Sequence, residues 1–179
     1  MKYIPEVCSH CGQSMTYLIT IDQGAIDTLI AMSVAVSKKG INVIHPRKEM
    51  EIEKINNYRE MIKSGKITSN MTGNLPKARF HGLIAKIKGE AGNYCITKKG
   101  LHFLRGGIIP KHAIVSKVYK RNIGYYKPEE ENVSVTEFLE EKSYYWEGIN
   151  FDIIDGRIIN GVPIEKVEIE NSVNLKLVL

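Results

Sequence analysis

Ile26, Leu29, Ile30, Ser33 and Val34 repeat at the i, i+3, i+4, i+7 spacing of one buried helical face, which predicts a helix over 22–37. Thr20 followed three residues later by Gln23 predicts a capping-box start. Lys38-Lys39-Gly40 supplies cations for the carbonyl end and a glycine stop. The apolar run 41–45 reads as a short strand ended by Pro46, and 47–64 as a longer helix carrying Ile55, Tyr58, Met61 and Ile62. After a turn-rich connector at 68–74, residues 75–81 predict a third helix, with Asn74 as N-cap, Pro76 in the first turn and Gly82 as the stop. Residues 83–88 and 94–97 predict two strands joined by the glycine-rich turn 89–93, and Thr97 caps a helix over 98–104.

Beyond Gly106-Gly107 the pattern turns β-rich. Strands are expected at 113–119, 149–154, 157–159, 166–169 and 173–179, with an acidic linker at 128–132 and a short helix at 135–142. Asp155-Gly156 reads as a two-residue hairpin turn. Tyr144-Tyr145-Trp146 is the densest aromatic group, expected as a core anchor, with a subunit contact as the alternative.

Charge adds a direction to this pattern. Residues 38–127 hold 20 lysines and arginines against five acids, a net +15, whereas 1–37 carry −2 and 128–179 carry −8. A basic block between acidic ends is the footprint of a phosphate-binding surface; a solvated lysine-rich exterior gives the same count. Apolar runs fall short of the roughly 20 residues that span a bilayer, and the first residues lack a signal-peptide layout. With three cysteines, a reducing, cytoplasmic setting is expected and no membrane partner.

The most specific stretch runs from Asn74-Leu75-Pro76-Lys77-Ala78-Arg79-Phe80-His81-Gly82-Leu83-Ile84 to Tyr94-Cys95-Ile96-Thr97-Lys98-Lys99-Gly100. It resembles the winged helix-turn-helix domains of bacteria, archaea and phages, in which Gly-Leu-Ile follows the recognition helix and Tyr-x-(Ile/Leu)-Thr-x-x-Gly closes the wing. The expected fold is therefore α+β: a cysteine knuckle at 1–19, a winged-helix domain at 20–107 and a β-rich extension at 108–179. The resemblance implies duplex DNA as partner, with a role in transcriptional regulation. It puts Lys77, Arg79 and Phe80 on a recognition helix in the major groove and Lys86, Lys88, Lys98 and Lys99 on phosphates beside the wing. Arg79 is the expected base reader, since a guanidinium can pair with guanine through two bonds. Ser69, Asn70, Thr72 and Asn74, just before that helix, are expected to donate to phosphate. His81 is expected to be packed rather than functional. The stretch 47–74 exceeds a minimal second helix plus turn, and 63–74 reads as an inserted loop. A protein-docking role for the same fold is the alternative, because fold does not imply function.

Cys8-Ser9-His10-Cys11-Gly12 looks like half a zinc ribbon. Three readings stay open here: a zinc site completed from elsewhere in the chain or by a second subunit's knuckle, a metal-free turn, and a redox dithiol. Cys95 is expected to face away from the core. Glycine-rich phosphate loops, GxSxG and HExxH are all lacking, so no enzyme is expected. The acidic extension is expected to serve as a homodimerisation or partner module.

Overall fold

The computed structural model describes residues 3–48, 73–126, 131–138 and 148–154, together with the backbone of 158–159 and 162–163. It is a mixed α+β arrangement. Residues 49–64 of the helix expected at 47–64, the loop residues Ser69, Asn70 and Thr72, the aromatic group 144–146 and the strands at 166–169 and 173–179 lie outside the described residues.

Helix α1 (Gln23–Lys39) occupies the centre. Its periodicity predicts one buried face, but every residue from 25 to 36 is buried. Such burial demands partners for the small polar side chains. Thr28 donates to the Gly24 carbonyl and Ser33 to the Leu29 carbonyl, both at 2.7 Å. Gln23 donates to Asp27 at 2.8 Å. These short side chains return to their own helix, so its surface packs as if apolar. The start is set by Asp22, whose carboxylate accepts from the Ala25 N–H at 3.1 Å, and not by the expected Thr20/Gln23 box. Thr20 instead ends a strand. Gly40, at φ +74°, closes the helix as expected.

Strand β1 (Thr16–Thr20) lies within the expected knuckle region, and no strand was expected there. Helix α2 (Leu75–Phe80) follows with Pro76 in its first turn. Asn74 precedes it but makes no side-chain cap bond. Its amide lies over the start of α1, where a Cβ at Gly24 would come within 2.7 Å of Asn74 Nδ2. The expected strand pair appears as β2 (Ile84–Lys86) and β3 (Tyr94–Ile96), antiparallel with Ile84 opposite Ile96. The run 41–45 contributes only a single bridge, Ile44 to Tyr94, with mutual backbone bonds of 2.8 and 2.9 Å. Asn42 turns inward beside it.

Helix α3 (Lys98–Leu104) starts at Thr97, whose hydroxyl accepts from the Gly100 N–H at 3.0 Å and donates to the Gly82 carbonyl at 2.6 Å. A Cβ at Gly100 would sit well inside van der Waals contact of the Leu83 carbonyl. The Thr-x-x-Gly spacing thus ties the start of α3 to the turn after α2.

Strand β4 (Ile108–Pro110) pairs with β7 (Asn132–Ser134), whereas β5 (His112–Ser116) pairs with β1 and with β6 (Arg121–Tyr126). The resulting three-stranded order is β1-β5-β6. The expected strand over 113–119 stops at Ser116, where 117–120 turns back with Lys120 at φ +49°. Of the helix expected at 135–142, Val135–Phe138 forms a 3-10 turn and the rest lies outside the described residues. Residues 149–154 were expected as a strand, but Phe151–Ile154 is helical (α4). Asn150 is the cause: its side chain accepts from the Asp152 and Ile153 N–H groups at 3.0 and 3.3 Å. Strand β8 (Ile158–Ile159) pairs with β9 (Val162–Pro163), so the pairing does not run across Asp155-Gly156.

One buried cluster joins α1, α2, the β2–β3 hairpin, α3, the β4–β7 pair and α4. It contains Ile26, Leu29 and Ile30 of α1, Leu75, Leu83, Ile84, Ile96 and Phe103, and also Ile109, Val133, Val135 and Ile154 from beyond residue 107. Asn42, 1% exposed, stitches it: it donates to the Ile96 and Ile154 carbonyls at 2.8 and 3.0 Å and accepts from the Ile96 N–H at 2.9 Å. Asn42→Ala strands those groups in the interior. It should cost about 3 kcal/mol of unfolding free energy, read by urea denaturation.

Candidate nucleic-acid interface

The turn 87–93 between β2 and β3 is held by its own backbone. The Ile87 N–H bonds the Asn93 carbonyl, the Glu90 N–H bonds the Ile87 carbonyl, and Asn93 Nδ2 donates to Glu90 at 2.6 Å. Gly92, at φ +81°, lies against the His45 ring so closely that any Cβ there would collide with it. The hairpin is therefore buttressed by the segment that leaves α1. Between them and the start of α2 runs a groove of about 530 Å³, lined by Arg47, Leu75, Pro76, Lys86, Gly92 and Tyr94 among others. Lys86 also lines a second hollow of about 480 Å³ around the hairpin tip, with Lys88 and Glu90. Lys88 and Arg47 are exposed, and Lys86 is half-buried.

The other end of α2 meets the β5–β6 hairpin. Asn122 donates to the Phe80 carbonyl at 2.6 Å, and an Arg79 guanidinium nitrogen lies 3.5 Å from the Lys120 carbonyl. Lys117, Tyr119, Lys120 and Arg121 are exposed at that hairpin tip, with the Arg121 guanidinium 5.1 Å from the Tyr119 ring centre.

Not every expected residue reaches the surface. Phe80 is 5% exposed and belongs to the interior, so it presents no ring to a base. Lys99 turns inward: its ammonium donates to the Tyr125 hydroxyl at 2.6 Å and lies 4.1 Å from that ring's centre. Burial pulls its pKa down to about 8, the signature of a cation withdrawn from water rather than aimed at phosphate. Lys77 is paired with Asp22, the cap of α1, and remains half-buried like Arg79. Lys98 is exposed at the first turn of α3. Asn74 covers Gly24, and Thr72 lies outside the described residues. Arg47 and the basic tip 117–121 went unassigned from sequence. The Lys117-Val118-Tyr119-Lys120-Arg121 run was the available signal for the tip, whereas Arg47 had none.

Behind α2, His81 is fully buried. Its Nε2 donates to the Ile19 carbonyl at 3.2 Å, and Nδ1 has no partner. Burial, with Lys99 and His112 as nearby cations, pulls its pKa down to about 4 against the Ile19 and Pro110 carbonyls. The Tyr125 hydroxyl donates to the His81 carbonyl at 3.2 Å, and burial pushes the phenol up to about 12. His81 packs α2 against β1 and β6, as its sequence context predicts.

The knuckle is a tight turn rooted on β1. The Cys8 N–H bonds the Gln13 carbonyl, the Gly12 N–H returns to the Cys8 carbonyl, both at 2.8 Å, and Gly12 adopts φ +69°. The Cys11 and His10 backbone N–H groups face the Cys8 sulfur and hold its pKa below the ordinary thiol range. Cys95, by contrast, is 2% exposed among Val43 and Ala85, correcting the expectation that it faces away from the core. Burial pushes it up to about 11.

No protein-family model matches the chain, and neither a curated protein nor a solved structure matches it. Among the described residues, no helix is long and apolar enough to cross a membrane.

The His81 environment has a consequence for stability. The folded pKa lies below that of the unfolded chain, so the unfolded chain takes up the proton first as pH falls. The stability is complete above about pH 6.5 and is lost as pH drops towards 4, by roughly 3 kcal/mol in all. Urea midpoints across that window should show the loss, and His81→Gln should flatten it.

Proposed function

We propose that this chain binds duplex DNA through a winged helix-turn-helix, with α2 as the recognition helix and β2–β3 as the wing. The groove between the wing and the start of α2 carries the reading, because it sets Arg47 and Lys86 on one concave surface, and Lys86 also lines the neighbouring hollow at the wing tip with Lys88. Cations there can neutralise phosphates on either side of a groove, while the buttressed wing keeps their spacing fixed. Lys77 and Arg79 stand on the partly exposed side of α2. Both have intramolecular partners that would be exchanged on binding, and Arg79 is the base reader. The acidic charge of residues 128–179 keeps that part of the chain away from the polyanion. Regulation of transcription is the role this binding would serve.

A second reading, docking of a protein partner, is favoured by the exposed Val118, Tyr119 and Ile123 on the β5–β6 hairpin. Salt separates the two. Duplex affinity measured by fluorescence anisotropy should fall steeply as salt rises, with a log–log slope of about −0.9 per phosphate contact. Replacing Arg47, Lys86 and Lys88 by alanine should make that slope shallower by roughly 2 to 3. Lys77→Ala with Arg79→Ala should abolish specific binding. A salt-independent response would favour the docking reading.

A further inference from the structure

We propose that the Cys8–Cys11 knuckle is half of a zinc site, completed by the same knuckle of a second copy of this chain. Cys8 and Cys11 sit three residues apart on one turn, which its backbone bonds and the left-handed Gly12 hold closed. The turn is anchored rather than loose. The Val7–Ser14 bridge closes its base, the Met15 N–H bonds the Glu6 carbonyl at 2.7 Å, and Thr16 accepts from both Tyr3 and the Glu6 N–H. Cys11 is exposed and Cys8 half-exposed, so an ion can reach both.

Two thiolates do not complete a structural zinc site, which takes four ligands in a tetrahedron. The chain has three cysteines and five histidines, and all eight are described. None outside the knuckle is placed to help. Cys95 is buried by the wing, His45 lies under Gly92 and His81 is enclosed. His102 lies against Gly107, and His112 is held between Thr20 and Glu131. Among the described residues no group of three or more histidines, cysteines or acids is arranged to hold a metal. Among the described residues, then, Cys8 and Cys11 lack two sulfur donors, and the identical knuckle of another copy supplies two thiolates in the same spacing. Twofold symmetry makes the four-sulfur set self-complementary, as a closed dimer requires. Ile4, 85% exposed, and Val7, 61% exposed, flank the knuckle and would be covered by the partner.

The proposal is independent of DNA binding, and its test reads metal and mass. The full chain, purified under reductant without chelator, should retain one zinc per two chains and sediment as a dimer. Chelation should give the metal-free monomer, and added zinc should restore the dimer. Cobalt in place of zinc should show the absorption of a tetrahedral four-thiolate site. Cys8→Ser and Cys11→Ser should each abolish zinc retention and dimerisation with far-UV circular dichroism unchanged, while Cys95→Ala keeps both. One zinc per monomer, a dimer that survives zinc removal, a dimer broken by reductant alone, or failure to retain zinc would each overturn it. The chelation experiment on the unaltered chain decides the matter even if a cysteine variant misfolds.

Discussion

A helix buried around its whole circumference allows no polar side chain to go unmatched, and α1 is such a helix from Ala25 to Val36. Thr28 and Ser33 meet the condition by bonding backward to carbonyls one turn earlier, which costs nothing in partners from other elements. Several of the described elements pack against this rod. Helix α2 packs against it with Asn74 over Gly24, α4 reaches it through the Asn150–Ser37 bond of 2.8 Å, and Asn42, just beyond its end, stitches the segment that leaves it to β3. The β2–β3 hairpin and α2 are thus held relative to each other by one shared core.

That shared core also sorts the cations. A lysine or arginine near α2 either reaches water or must find a partner inside, since an unpaired buried charge is costly. Lys99 takes the second course against Tyr125, and its lowered pKa records the desolvation. Arg47, Lys88, Lys98, Lys120 and Arg121 take the first. Among the described residues these cations divide into a group around Lys86 at the β2–β3 hairpin and a group on the β5–β6 hairpin beside Arg79, at opposite ends of α2.

The three-stranded sheet gives the N-terminal turn its rigidity. Pairing of β1 with β5 joins residues about a hundred positions apart, with Thr16 opposite Ser116 and Thr20 opposite His112. A cysteine turn on such a strand keeps its geometry without a metal, and a metal joining two of them would link two folded bodies rather than fold one.

Local physics was legible in the sequence. The glycine stop at Gly40, the Thr97 cap with its Gly100, Pro76 in the first turn of α2 and the β2–β3 hairpin all depend on neighbours close by in the chain. Their signals therefore sit in short stretches of chain. What depended on distant neighbours was not legible. The all-round burial of α1, the inward turns of Phe80, Cys95 and Lys99, and the place of Arg47 in the groove are set by elements far away in sequence. The same holds for β1, whose partner lies on the far side of the chain, because a strand's pairing carries no local signature. Charge counting gave the excess of lysine and arginine between residues 38 and 127. Which of those cations face outward was decided only by the close packing of side chains around one buried helix, where each residue's environment is made by all the others.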